Sequence, residues 1–329
     1  MLFFSLFGTQ WYGLGIVLVQ HTKEVDMRTF AGKVAVVTGA ASGVGRAVAR
    51  KAALEGMHVL AADVDETGLA ETVAGLENAQ LVLTDVSSSE ANEALAATAF
   101  ERFGGVHLVH LNAGVLTNGY TWENTEQDWR WVLDVNLWGV IHGVRSFIPR
   151  MLEQGEPAHV VVTAAVWGLS PGPAYGPYAT SKSGVVCLAE TLSIELQMVE
   201  APIRVSCLCP GPIATGIFES ERNRMDSYAS TRNVSSTDPN VADLHQAMAA
   251  SISDSMDPAV VADLVFDAVR NEKFWVYTHS GSKDRIAARN RAVLEELHPS
   301  EGIINLDTTF ADRKNTALGA RSTNQPTTQ

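Results

Sequence analysis

From residue 33 onward the chain alternates short apolar runs with longer stretches in which apolar positions recur at helical spacing. The runs KVAVVT (33–38), HVLAAD (58–63), AQLVLT (79–84), VHLVHL (106–111), AHVVVTA (158–164), IRVSCLC (203–209) and FWVYT (274–278) read as strands. The stretches over about 44–55, 66–76, 88–103, 126–151, 176–199 and 258–271 read as helices. Several strands are unbroken Val, Ile and Leu runs, which fits a sheet covered by helices on both faces. Strand–helix repetition with right-handed crossovers predicts an α/β fold, a doubly wound parallel sheet of about seven strands.

Residues 219–256 break this alternation. The segment ESERNRMDSYASTRNVSSTDPN is polar and rich in Ser, Asn and Asp. It reads either as a lid-like insertion, reaching back to about 216, or as a plain surface insertion. The residues after 300 read as a disordered tail. Residues 27–300 are expected to form a single domain, preceded by an apolar extension over 1–26.

Composition narrows the partners. The chain has 329 residues, 46% of them hydrophobic, and a formal net charge of -13. An acidic surface argues against nucleic acid, whose phosphates need a basic one. Three cysteines, Cys187, Cys207 and Cys209, make no disulfide framework and suit a reducing, cytoplasmic setting. Cys207 and Cys209 share one face of a strand and read as buried apolar residues. His107 and His110 are three apart in a strand and point to opposite faces, so no metal site is assigned.

The chemistry begins at TGAASGVG (38–45), which follows the first strand and opens the first helix. Gly39, Gly43 and Gly45 permit a tight turn and close backbone approach; Thr38, Ser42 and Val44 complete it. The N–H groups and positive dipole end of the helix suit a pyrophosphate. It is not a P-loop, because no Lys-Ser/Thr pair follows. Asp63 ends the second strand, where a carboxylate accepts both hydroxyls of a ribose and repels a 2′-phosphate. No basic residue follows it in DVDET or lies between Gly39 and Gly43, which favours NAD(H) over NADP(H). Asp85 and Val86, past the third strand, fall near an adenine. Further on, Tyr178 and Lys182 are four apart, on one face of a helix. An ammonium beside a phenol favours the phenolate, so Tyr178 is a candidate proton-transfer group.

In this order and spacing the motifs resemble those of the short-chain dehydrogenase/reductase family over roughly residues 30–280. The resemblance implies a Rossmann fold and an NAD(P)-linked interconversion of a secondary alcohol and a ketone. Thr38-Gly39-xxx-Gly43-x-Gly45 resembles the family's cofactor turn, and Asn112-Ala113-Gly114 its sheet-supporting motif. Asn136 falls where the family carries an Asn whose backbone carbonyl holds a water on the lysine. Tyr178 and Lys182 match its Tyr-xxx-Lys pair. PGPIAT (210–215) resembles the turn at the nicotinamide end, implicating Pro210, Gly211, Ile213 and Thr215. The family also implies a homodimer or homotetramer built on the helices at 126–151 and 176–199, whose apolar residues include Trp131, Leu133, Val140, Val185, Leu188 and Leu192.

One part is missing. The family's catalytic Ser precedes the Tyr by about thirteen residues, and that position here is Ala165, with Gly168 matching the glycine that follows. Thr163 lies on the same strand face but about 6–7 Å back. Ser170 and Tyr175 follow in the loop and are within reach of leaning in. Two other readings therefore stay open beside an impaired enzyme: a dinucleotide-binding protein used for sensing or partner binding, and an engineered Ser-to-Ala variant of an active enzyme. Trp167, Leu169, Tyr175, Ile217 and Phe218, with Val115 and Leu116, suggest a pocket for a small apolar alcohol or ketone.

The first 20 residues, MLFFSLFGTQWYGLGIVLVQ, are apolar over about the length of a membrane span. They lack a basic leader and a small-residue cleavage site, which argues against a secretory signal. The segment reads as a dispensable extension, as a membrane or interface anchor, or as an element packed on the domain. The predicted sheet is complete without it. A chain starting at Met27 is expected to stay soluble and to bind dinucleotide with unchanged affinity; an insoluble or cofactor-blind product would show that the segment packs on the domain.

Overall fold

The computed structural model describes residues 27–231, 238–252 and 255–299. The N-terminal extension, the tail from 301 and part of the insertion lie outside the described residues.

Seven parallel strands form one sheet: β1 (Val34–Thr38), β2 (His58–Asp63), β3 (Ala79–Leu83), β4 (Leu108–Leu111), β5 (Ala158–Thr163), β6 (Ile203–Cys209) and β7 (Trp275–Tyr277). Their order is β3-β2-β1-β4-β5-β6-β7. The chain winds outward from β1 in one direction and from β4 in the other. That reversal opens a crevice at the carboxyl ends of β1 and β4, where ligands of doubly wound sheets bind. The expected Rossmann architecture is therefore the observed one.

Helices cover both faces, as the unbroken apolar strands require. On one side α1 (Gly43–Leu54) packs against α9 (Pro258–Arg270). Val37, Val59, Val161 and Leu208 meet Val48, Val265 and Phe266 there, with Met27 and Phe30 closing the end. On the other side lie α3 (Ser89–Phe103), α5 (Gly139–Gln154) and α7 (Gly176–Met198), whose Leu95, Phe147 and Val185 meet Val36, Val109 and Val160. The helix α2 (Glu66–Val73) joins β2 to the edge strand β3, whose Leu81 and Leu83 stay exposed.

The expected helix over 126–151 is interrupted. It comprises α4 (Glu126–Leu133), a π turn over Asp134–Trp138, and α5. Across the turn Gly139 N donates to Asp134 O. Such insertions recur at functional sites, and Asn136 sits inside this one. The insertion near 216–256 is not featureless: it holds 3₁₀ segments at Gly216–Asn223 and Asp226–Tyr228 and the helix α8 (Pro239–Ile252). A one-turn helix, α6 (Val166–Leu169), and a last helix, α10 (Ser282–Leu294), complete the order. No described helix is long and apolar enough to cross a membrane.

Candidate active site

A cavity of about 970 Å³ opens at the carboxyl ends of the central strands. Its floor at one end is the turn between β1 and α1. Gly39 has φ +66°, and a Cβ there would meet Ala113 Cα at 2.7 Å. A Cβ on Gly45 would meet Gly39 O at 2.1 Å. A side chain at either position would push the turn open. Ser42 sits at the N-cap of α1 without a side-chain capping bond, and the first turn holds no acidic residue. The positive end of α1 thus faces the cavity uncompensated, which fits an anionic pyrophosphate.

Asp63 is fixed at the rim by backbone amides. Its Oδ2 accepts from Ala41 N at 3.0 Å and its Oδ1 from Val64 N at 2.7 Å. The nearest cation of the turn, Arg46, points away from the cavity: it bonds the Ala41 and Gly68 carbonyls, Thr72 and Glu71. Asp85 and Val86 line the same end.

A buried polar relay ties the strands together beneath the cavity. Asn112 Nδ2 donates to Thr38 O at 3.1 Å, and Thr163 Oγ1 donates to Asn112 Oδ1 at 3.1 Å. With its proton so committed, Thr163 Oγ1 accepts from His110 Nε2 at 2.8 Å. Burial, with the nearby Lys182 charge, pulls His110 down to about 3, so it stays neutral. Asn112 therefore locks the ends of β1, β4 and β5 in one plane.

Lys182 is buried, and its Nζ donates to Thr163 O at 2.7 Å. The same Nζ lies 5.7 Å from the centre of the Tyr178 ring, as the four-residue spacing predicts. Burial pulls this ammonium down to about 8. Sequence spacing leads to the expectation that Lys182 lowers the phenol; in the protein alone the net shift runs the other way. Burial, with Cys209 adding to it, pushes Tyr178 well above its ordinary value. Asn136 is fully buried; its Oδ1 accepts from Val115 N, and its Nδ2 donates to Val115 O and Ser181 Oγ. It pins the loop after β4 to α7, one residue from Lys182.

A family model described as short chain dehydrogenase matches residues 33–226. The chain belongs to the short-chain dehydrogenase family, a family of oxidoreductases. It is 33% identical to a 1-deoxy-11-beta-hydroxypentalenate dehydrogenase of Streptomyces exfoliatus, over 77% of this chain and 86% of the relative. It is 38% identical to 3beta-hydroxysteroid dehydrogenase 1 of Eggerthella lenta, over 62% of this chain and 79% of that protein. A solved short chain dehydrogenase/reductase from Burkholderia phymatum, in complex with NAD, superposes with a TM-score of 0.79 at 40% identity, covering 83% of this chain and 98% of that one.

In this short-chain dehydrogenase most of the sequence-derived site residues come together. Gly39, Ser42, Gly43, Val44, Asp63, Asp85, Val86, Asn112, Ala113, Gly114, Ala165, Tyr178, Lys182, Pro210, Gly211, Ile213 and Thr215 line one cavity. Thr38, Gly45 and Asn136 stand behind its wall. Of the expected substrate residues, Trp167, Ile217 and Phe218 line the cavity, with Val115 and Leu116. Leu169 and Tyr175 do not: Leu169 packs on the main core, and Tyr175 is fully buried. The Tyr175 hydroxyl meets His245 Nδ1 of α8 at 3.0 Å, and its ring packs tilted against Trp167 and His245 and edge-on to Phe218. Ser170 Oγ is buried without a partner and off the cavity. Thr163 spends its hydroxyl on Asn112. None of these three therefore stands in for the family's Ser.

Sequence reading missed a whole wall. Met248 of α8, His279 just before α10, and Ser282 and Arg285 in its first turns also line the cavity. Among the described residues no cluster of His, Cys, Asp and Glu can hold a metal. Cys207 and Cys209 are buried on one strand face with Sγ atoms 3.7 Å apart, and all three cysteines are free.

Proposed function

We propose that this protein interconverts a secondary alcohol and a ketone with a nicotinamide dinucleotide, NAD(H) in preference to NADP(H). The observation that carries the reading is the shared cavity: the Tyr178–Lys182 pair opens on the same space as the glycine turn and Asp63. When bound, the dinucleotide supplies the hydride acceptor or donor at its nicotinamide ring. The turn of Gly39, Gly43 and Gly45 takes the pyrophosphate, Asp63 the adenosine ribose, and Pro210 to Thr215 the nicotinamide end.

Tyr178 exchanges the proton with the substrate oxygen. Because burial holds its proton on at neutral pH, the residue serves ketone reduction directly. Alcohol oxidation needs that proton to leave, so its rate rises with pH. Lys182 holds the nicotinamide ribose and supplies positive potential beside the phenol. Asn136 keeps the π turn and the loop after β4 in place around them. Ala165 supplies no second hydrogen bond to the reacting oxygen, which lowers turnover.

Asp63 selects the cofactor by charge. NADH is expected to bind at least about tenfold more tightly than NADPH, because a 2′-phosphate would face the fixed carboxylate. Energy transfer from tryptophan to each reduced nicotinamide measures both affinities. Tighter NADPH binding would contradict the assignment.

We also propose a homodimer or homotetramer, with a change in the residues that make it. Trp131, Val140, Val185 and Leu192 are buried inside the subunit and cannot pair across an interface. The exposed apolar residues of the π turn, α5 and α7 are Trp138, Leu152, Ile194 and Met198.

A further inference from the structure

The cavity holds a cation that the proposed chemistry does not use. Arg285 lies in the first turns of α10 and lines the same cavity as Trp167 and Tyr178. Its Nη2 donates to Ser170 O at 3.2 Å. Its Nε is buried with no acceptor, and among the described residues it has no ion pair. The neighbouring Asp284 also lines the cavity but is exposed and makes no bond to it. Arg222, the other guanidinium on the cavity wall, is exposed and bonds the Gly216 and Glu219 carbonyls at 2.8 Å.

An arginine keeps its charge at any ordinary pH. The buried Nε is shut off from the cavity, but holding the charge itself half-buried with no carboxylate beside it is costly. An oxyanion in the cavity would offset the cost, and a carboxylate matches the guanidinium fork best. The rest of the nearby wall is apolar: Leu116, Trp167, Ile217, Phe218 and Met248. We infer that Arg285 is a specificity residue that pairs with a carboxylate on the substrate, so that the substrate class is a secondary alcohol or ketone with an apolar body and one carboxylate end. The inference rests on the oxidoreductase reading above. The same cation could instead serve a phosphate of the dinucleotide, and the test separates the two.

The test titrates the full chain, saturated with NADH, with 9-oxodecanoate and with its methyl ester in a calorimeter, while NADH absorbance is followed in parallel. The acid is expected to bind about 10–10² times more tightly than the ester, the scale of a charge-assisted bond. In Arg285→Met that ratio should fall close to one, and Arg285→Lys should keep part of it. Both variants should bind NADH as the parent does. Equal binding of acid and ester by the parent, or binding of neither, overturns the inference. Loss of NADH affinity in Arg285→Met also overturns it, by assigning the cation to the dinucleotide. Acid preference without NADH consumption upholds the carboxylate site and counts against the oxidoreductase reading alone.

Discussion

Replacing Tyr178 by Phe is expected to lower turnover by about 10²–10⁴ while leaving NADH affinity nearly unchanged, the range for losing a general acid–base group. The substitution removes one oxygen and keeps the ring. That ring is held by Val115, Trp131 and Val132 on one side and by Trp167, 6.3 Å away and edge-on, on the other. The hydroxyl opens on the cavity and has no partner among the described residues, so its loss leaves no buried group unpaired. In the proposed function the dinucleotide is held elsewhere, by the glycine turn, Asp63 and Lys182. Steady-state kinetics with a ketone panel and a fluorescence titration with NADH give the two numbers. Unchanged turnover would mean that the proton comes from another group.

Ala165→Ser should act in the opposite direction, raising turnover by about 10²–10³, the scale for one donor to a developing oxyanion. Ala165 has extended backbone, φ −167° and ψ 161°, and stands immediately before α6. A Ser suits that position, because its oxygen can accept from an N–H of the turn while its proton goes to the substrate. It is 4% exposed and lines the cavity with Tyr178, so a single added oxygen is placed at the cavity wall beside the phenol. The gain belongs in kcat more than in cofactor affinity, since the donor meets charge that develops during the reaction. Equal activity of both proteins would show that another hydroxyl or a water already fills the role. Inactivity of both would favour a dinucleotide-binding protein without catalysis.

The strands and the cofactor turn were legible because their signals are local. Apolar runs such as HVLAAD and a glycine turn directly after KVAVVT owe their structure to adjacent residues. Features set by distant contacts were not legible. The π turn at Asp134–Trp138 keeps a helical apolar pattern, and it places Asn136 in hydrogen-bond reach of Val115 and Ser181, contacts distant in sequence. Leu169 and Tyr175 follow Ala165 in sequence, yet the one-turn helix α6 and the loop after it turn them toward the core and toward His245. The helix α8 hides in a polar stretch, although Val241, Leu244, His245 and Met248 recur at helical spacing once the Ser- and Asn-rich flank is set aside. The helix α10 was missed because it buries little, Ser282 and Ala292 being its buried residues, so its periodicity is faint. With it went the view of Arg285. Four of the residues expected at an interface, Trp131, Val140, Val185 and Leu192, are buried for a related reason: a helix pattern shows which positions are apolar, not whether its own subunit already covers them.

In the proposed reaction Tyr178 and a nicotinamide dinucleotide meet a ketone in one cavity. The most direct measurement is NADH absorbance over time with a panel of ketones, run on the chain as it stands, on Ala165→Ser and on Tyr178→Phe. Slow, ketone-dependent loss of NADH is expected in the first, faster loss in the second and loss about 10²–10⁴ times slower than the first in the third. NADH binding in all three with no ketone-dependent loss in any would contradict that reaction.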